Sequence, residues 1–447
     1  MIFLEYLSIF PYMLHHSPWL NFEKTSWPKL QADLSSEVAI IGGGISGIAT
    51  LYYLVTTTQK NVVLIEKNTV ASGATGHNAG LAIASIEKPA SELVNMIGKQ
   101  ATLALFKELD EAFEDLHDIH QEIDLQDNLI SFTSVARGFD SLSQFSSCVK
   151  EMEIGNKREW HYLVCENLKD NLPEDLKVVV EFVPHETILT TLKTIDRNYI
   201  AAAIPRFAFR AKRMNSAKFC YKVLAYLKTK FASRFSVYEE TNICSIELYK
   251  NHSVLKHSEG IITADDVILC TNAYKDFTIW DHSTKTAYTK LQDSITPRIG
   301  YLAAFPDNSV TSYALGLSTD REPFNSAPYW YFSHAPHANH DLNHSCVIGG
   351  PEFDLHDSLS QEWMDDKKEK SLDLIKLFLK TTFKQTPDTL SFFWYGWMGY
   401  TSDGLRWVGP DSDHPHLWYN LACNGIGMVP AIAAAKRIAA LMASSSN

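Results

Sequence analysis

The sequence predicts an α/β protein: a parallel sheet flanked by helices, interleaved with an α+β unit built on an antiparallel sheet. Three observations carry that expectation. The chain has 447 residues, more than one hydrophobic core usually organises. Near its start, apolar β-type runs alternate with amphipathic helical runs, the pattern of a parallel sheet. A glycine-rich segment, Gly42–Gly47, stands between the first strand-like run and the first helical one.

The first strand is Glu37-Val-Ala-Ile-Ile41, followed directly by Gly42-Gly43-Gly44-Ile45-Ser46-Gly47. The helical run Ile48–Leu54 comes next, then a second strand, Val62–Ile65, ending in Glu66. Each piece has a physical task. Gly42 permits a tight turn, Gly44 lets backbone approach a pyrophosphate, and Gly47 lets the helix pack closely on the sheet. Ile45 and Ser46 open the helix, where free N–H groups and the positive dipole end attract phosphate. Glu66 stands where an acid accepts hydrogen bonds from ribose hydroxyls. Together, strand, loop, helix, strand and acid predict a Rossmann-type dinucleotide-binding unit. The Glu66 carboxylate would repel the 2′-phosphate of NADP.

Further along, Ser91–His120 carries Leu105, Leu109, Phe113 and Leu116 at helical spacing, with Lys107, Glu108, Glu111 and Glu114 on the other face. This reads as one surface helix facing the core. The stretches 124–200 and 286–386 are richer in aromatic and β-branched residues and suit the antiparallel unit. The expected division places residues 37–95, 208–285 and 391–447 in the dinucleotide-binding domain. Residues 96–207 and 286–390 then form the substrate domain.

Charge narrows the function. Forty Lys and Arg against fifty-two Asp and Glu give a formal charge of −12, which argues against a nucleic-acid partner. The basic run Arg206–Arg213 reads as a short solvated edge. Seven cysteines are scattered with no C-x-x-C pair, so neither a disulfide framework nor a zinc site is expected, and a reducing, cytoplasmic setting fits. His334, His337, His340 and His344 lie beside Pro336 and Asn339 and read as a solvated loop; no metal is expected. The apolar start MIFLEYLSIFPYML lacks a basic leader and a cleavage site. It is also shorter than the roughly 20 residues of a spanning helix. It reads as an extension packed on the body, with contact to a membrane surface as the alternative.

The glycine loop alone does not separate FAD from NAD. The segment Ala71-Ser-Gly-Ala-Thr-Gly-His-Asn-Ala-Gly80 does, because its glycines and small residues would form a backbone-lined slot for a flat isoalloxazine. Glu66-Lys67 followed by Ser72–Gly80 resembles the D-amino-acid oxidase-like (DAO) superfamily of FAD-dependent oxidoreductases. Other blocks agree in order. Ser17-Pro-Trp19 and Pro28-x-Leu30 are similar to the lead-in of the γ-glutamylputrescine oxidoreductase branch, near the glycine and sarcosine oxidases. Ala264–Tyr274 resembles the strand that returns to the FAD domain. Trp394-Tyr-Gly396, Thr401–Leu405 and Gly409 resemble the C-terminal signature, and Asn424–Met428 the last flavin loop.

What the resemblance implies is an enzyme that moves hydride from the carbon next to an amine to flavin N5. The imine then hydrolyses, and oxygen or another electron acceptor reoxidises the flavin. Small-molecule amines or amino acids are the implied substrates. Implied flavin contacts are Lys67, Gly73, Ala74, Thr75, His77, Asn78, Ala79, Gly80 and Leu81. The middle of the chain adds Ile243, Thr271 and Asn272; the C-terminal loop adds Asn424, Gly425, Ile426, Gly427 and Met428. His77 stands where some relatives bond covalently to the flavin and others make only a contact; both readings stand. Met398 occupies the place where amino-acid oxidising relatives often carry a carboxylate-clamping arginine, and Arg406 a place where proline is frequent. Arg298, Arg406 or Lys218 are candidates to replace that clamp, or are surface cations. If none does, an amine without an α-carboxylate is expected. The runs Tyr329–Phe332 and Phe392–Tyr395 read as core bulk, with an amine cage as the alternative. Three competing functions are a dehydrogenase feeding a membrane quinone, a flavin-binding protein without turnover, and an NAD-dependent dehydrogenase.

Overall fold

The computed structural model describes residues 17–123, 130–133, 135–155, 160–205, 211–306, 314–326, 329–334, 345–355, 360–383 and 390–444. The apolar start, the histidine cluster beyond His334 and most of the basic run before Ala211 therefore lie outside the described residues.

Apolar residues on consecutive positions bury both faces of a strand, and Val38, Ala39 and Ile40 are completely buried. Their strand, Leu34–Ile41, runs parallel to Val62–Ile65 on one side and to Gly260–Leu269 on the other. Phe235–Tyr238 extends the parallel array beyond Val62–Ile65. The second half of Gly260–Leu269 pairs in parallel with Leu417–Leu421, and its first half pairs with the antiparallel strand Ser253–His257. In all, ten strands form this sheet. The helices Ile45–Thr57, Ser216–Phe231 and Met428–Ser444 share one apolar core with it, through Ile48, Leu51, Leu224, Ile432 and Ile438.

A nine-stranded sheet forms the second layer, in the order 392–401, 295–306, 345–354, 330–334, 314–318, 135–139, 201–205, 160–165, 180–183. It is antiparallel except where 314–318 meets 135–139 and 160–165 meets 180–183. The helix Gln361–Thr382 packs on it through Ile375 and Phe378, whose ring stacks on Trp330 at 4.1 Å. Strands 81–83, 211–214 and 130–133 form a small three-stranded sheet.

Four expectations change. The helix expected over Ser91–His120 is two helices, Ala90–Ile97 and Lys99–Ile123, broken at Gly98, whose φ is +82°. The second of these falls in the segment assigned to the substrate domain, yet Leu109, Phe113 and Leu116 bury themselves in the first core. The boundary at 391 also moves: Phe392–Thr401 belongs to the second sheet, where it pairs with Ile295–Pro306 over its whole length. Finally, the basic run is no solvated edge at Lys212. That side chain is fully buried, donates to the Phe113 carbonyl and lies 4.0 Å from the Phe113 ring centre. Among the described residues no helix is long and apolar enough to cross a membrane.

Candidate functional site

A cavity of about 1470 Å³ runs from the glycine loop of the first sheet to the inner face of the second. At its first end the backbone dictates the residues. Gly42 has φ +109°, and a Cβ there would lie 2.6 Å from the Cys270 carbonyl oxygen. A Cβ on Gly47 would meet the Gly42 carbonyl oxygen at 1.9 Å, so only glycine lets helix and turn approach. Neither position can shift, because both obstacles are backbone. Gly44 at the helix N-cap has no side chain to cap it, while the Ile45 N–H is held by Thr75 Oγ1 at 2.9 Å. A helix start of this kind is an anion site.

Glu66 ends the second strand and binds its own scaffold. The Gly43 N–H donates to its Oε2 at 2.7 Å and the Asn68 N–H to its Oε1 at 2.9 Å. Burial pushes its pKa upward, against these two N–H donors, which pull it down. Beneath the loop lies Arg406. Its Nη2 donates to Ser46 Oγ at 2.5 Å and its Nε to Asn420 Oδ1 at 2.7 Å, with the Asn420 and Ala422 carbonyls as further acceptors. Burial lowers its pKa to about 10. Held in this way, Arg406 lines the first end of the cavity and braces the dinucleotide loop against the C-terminal segment.

The slot segment folds on itself. Ala74–Gly76 forms one 3-10 turn, and His77 Nδ1 sits 3.0 Å from the Gly73 carbonyl oxygen. Asn78 spends its amide on Ala74 O, Thr75 O and Ser216 Oγ, and its Oδ1 accepts from the Gly80 N–H. Strand Phe392–Thr401 presses on this turn: a Cβ on Gly396 would lie 2.6 Å from the His77 carbonyl oxygen. Asn272, at φ +54°, fastens three elements, donating to Trp397 O and accepting from the N–H groups of Gly399 and Cys423.

Most of the expected cofactor residues line this cavity: Gly42, Gly44, Ile45, Ser46, Glu66, Lys67, Gly73 to Thr75, His77 to Ala79, Leu81, Ile243, Thr271, Asn272 and Gly425 to Met428. Gly47, Gly80 and Asn424 stand behind the wall. Gly80 makes room for Trp19, and Asn424 Oδ1 accepts the Thr401 N–H at 2.8 Å. Lys218 sits in the first turn of Ser216–Phe231, its N–H on Asn215 Oδ1, away from the wall. Arg298 is also outside the wall, paired with Asp354 at 2.5 Å and stacked 4.3 Å from the Tyr400 ring. The residues present fit a dinucleotide. A Cβ on Gly42 or Gly47 would break the turn that shapes the loop, one on Gly44 would press on Thr75 Oγ1 at 3.0 Å, and the buried Thr271 Oγ1 on the wall has no hydrogen-bond partner among the described residues.

The second end of the cavity holds side chains that sequence reasoning missed. Glu87 and Glu352 both line it, with Arg137, Tyr329, Tyr331, Gly300, Leu315 and Met398. Tyr329 donates to Glu87 Oε2 at 3.2 Å and Tyr400 to Glu352 Oε2 at 3.3 Å. Burial, then the neighbouring Glu87, raises Glu352 to about 7, and burial raises Glu87 as well. The aromatic runs divide by strand alternation. Tyr329 and Tyr331 face the cavity, whereas Trp330 and Phe332 enter the second core. Gly349 gives Tyr331 its space, since a Cβ there would lie 2.2 Å from the phenol ring. That alternation was a usable signal; nothing local to Glu87 or Glu352 announced a shared cavity.

Known proteins agree with this architecture. The family model described as FAD dependent oxidoreductase (DAO) matches residues 37–441. Glycine oxidase from Geobacillus kaustophilus is similar in structure with TM-score 0.61 at 15% identity, over 91% of this chain and 95% of its own. L-proline dehydrogenase from P. horikoshii gives TM-score 0.62 at 15% identity, over 92% and 94%. NikD, an amino acid oxidase essential for nikkomycin biosynthesis, gives 0.64 at 13% identity, over 93% and 95%. At such identities the likeness is one of fold. YhfW of Bacillus subtilis (strain 168), named for a Rieske 2Fe-2S iron–sulfur centre, is 42% identical over 73 residues. That match spans 16% of this chain and 14% of the relative's length.

Proposed function

The chain belongs to the DAO family of FAD-dependent oxidoreductases, and on that premise we propose that it oxidises a C–N bond of a small amine or amino acid. One observation carries this reading: the glycine cradle and the pocket of Glu87, Glu352, Tyr329 and Tyr331 are two ends of a single cavity. A cofactor held at one end and a substrate at the other would meet inside it.

FAD supplies the hydride acceptor when bound. The protein's own part is to bind, orient and exclude water. The N-terminus of Ile45–Thr57 and the Arg406 charge beneath Ser46 would favour the pyrophosphate. Glu66 would accept from the ribose while the Gly43 and Asn68 N–H groups hold it in place. Gly425–Met428, at the start of the C-terminal helix, would direct N–H groups to the flavin's electron-rich edge. Leu302, Leu315 and Met398 make part of the wall apolar, which keeps water from the reacting carbon. The substrate loses a hydride from carbon and a proton from nitrogen, and the resulting imine hydrolyses on release. Oxygen or another acceptor takes the two electrons in the second half of the cycle.

The test is an absorbance spectrum of purified protein, followed by anaerobic addition of amines and amino acids. Flavin bands that bleach with an amine support the reading. A protein that takes up no FAD, or whose FAD no amine or amino acid bleaches, overturns it. Acid precipitation of the same sample separates a covalent bond at His77, which keeps colour in the pellet, from a non-covalent contact.

A further inference from the structure

The cavity's second end is unusual in its charges. Glu87 comes from the segment after the three-stranded sheet, Glu352 from strand Ser345–Asp354, and Tyr400 from strand Phe392–Thr401. Three separate elements thus bring their polar groups together. A methyl built on Gly425 would touch Tyr400 Oη at 2.9 Å and Glu87 Oε2 at 3.1 Å, and that same tyrosine hydroxyl is bonded to Glu352. Each carboxylate has a tyrosine hydroxyl on its Oε2, and among the described residues its Oε1 makes no hydrogen bond.

Two like charges confined together repel, and burial removes the water that would screen them. A cation between them relieves both problems. The wall has little else to neutralise them. Arg137 is one guanidinium against two carboxylates; Lys88 and Lys107 are paired with Glu92 and Glu111. Arg298, outside the wall and paired with Asp354, offsets part of the charge of Glu87 and Glu352. The phenol faces of Tyr329 and Tyr331, 5.9 Å apart at 58°, add the quadrupole surface that suits an ammonium or alkylammonium group. Among the described wall residues near this pair, Arg137 is the cation a substrate carboxylate could meet, and it already faces Glu87.

We propose that Glu87 and Glu352, walled by Tyr329, Tyr331 and Tyr400, bind the cationic nitrogen of the substrate, and that the preferred substrate is an amine of net positive charge without a free α-carboxylate. This rests on the reading of the cavity as an amine-oxidising site and narrows its substrate class. A zwitterionic amino acid would bring a carboxylate toward two others and lose the advantage of its ammonium.

The experiment compares matched pairs on the FAD-loaded protein by isothermal calorimetry: methylamine with glycine, ethanolamine with serine, and cadaverine with lysine. Within at least one pair the decarboxylated member should bind about tenfold or more tightly, the scale of one favourable charge contact. Glu352→Gln and Glu87→Gln, which keep shape and remove charge, should each abolish that preference while FAD stays bound at full stoichiometry. Tighter binding of the amino acids, a preference unchanged in both variants, or no binding by either series overturns the proposal. Anaerobic bleaching of the same samples keeps the two readings apart. Amino acids that bind tighter and bleach the flavin sink the charge assignment alone. Amines that bind with the expected preference and never bleach it sink the oxidase reading alone.

Discussion

Tyr329 donates a 3.2 Å hydrogen bond to Glu87, tying the second sheet to the segment that leads out of the cofactor half. A carboxylate that accepts such a bond holds its charge more easily in a buried place. Tyr329→Phe keeps the ring and removes the donor, so Glu87 should protonate more readily. Hydrogen bonds to charged groups are worth about 1.5–3 kcal/mol. Since this bond is long, cadaverine affinity at neutral pH should fall about three- to tenfold. Calorimetry of the variant, with circular dichroism to confirm the fold, checks it; an unchanged affinity would remove the bond from the binding argument.

Glu352 makes the same site sensitive to pH. Its carboxyl, raised to about 7 by burial and by Glu87, is neutral below that value and charged above it. The groups that face it are Glu87, Asp354, Arg298 and Tyr400, with Tyr331 on the neighbouring strand and Tyr329 just before it. Arg298 and the Tyr400 hydroxyl favour the charge; the two acids oppose it. Binding of a cation should therefore tighten as pH rises from about 6 to about 8, by up to about tenfold per unit below the pKa. A quaternary ammonium such as tetramethylammonium is the right probe, because it does not titrate itself. Glu352→Gln should flatten the profile. A wild-type profile that is already flat over that range would refute the assignment.

What was legible in the sequence is what local geometry requires. Gly42 and Gly47 are dictated by obstacles a few residues away or on the adjoining strand, so the pattern announces them. Tyr329 and Tyr331 were visible as part of an aromatic run, and strand alternation alone separates them from Trp330 and Phe332. Gly98 was hidden because the apolar spacing continues past it in Lys99–Ile123. Glu87 and Glu352 were hidden for another reason: they meet only through Tyr400 and the Gly425 loop, which tertiary structure brings together. Arg406 looked like a free cation because its partners include Ser46, 360 positions away.

Lys212 shows how composition misleads. It belongs to a basic run, yet it is fully buried against Phe113, and burial lowers its amine to about 8. The unfolded chain would hold that proton up to about 10.4. Between those values the unfolded state binds more protons than the folded one, so this residue's contribution to stability rises with pH. Below about 8 both states carry the proton and the contribution is flat at its lowest. The wild type should therefore gain on Lys212→Met between about pH 8 and about pH 10, by up to about 1.4 kcal/mol per unit. Chemical denaturation of both proteins across that range measures the difference, which cancels the many tyrosines common to both. A constant difference would mean that the buried amine keeps its proton in the fold across the whole range.

Arg406 discriminates a cofactor role from a substrate role. Its guanidinium reaches Ser46 Oγ, Asn420 Oδ1 and two carbonyls at once, a fork that a lysine ammonium does not reproduce. Arg406→Lys keeps the charge and strands part of this network. Hydrogen bonds to a charged group are worth about 1.5–3 kcal/mol each, so losing part of this set should give a clear drop in melting temperature. Because Ser46 opens the helix on the dinucleotide loop, the apparent dissociation constant for FAD should rise as well, by at least about tenfold. The amine-to-amino-acid preference should stay as in the wild type once FAD is saturating, since Arg406 lies beneath the loop and not beside Glu352. Fluorescence titration of FAD into stripped protein, followed by calorimetry with cadaverine and lysine, gives both numbers. A variant with normal FAD affinity and an altered preference would return Arg406 to the substrate side and undo its assignment as a brace.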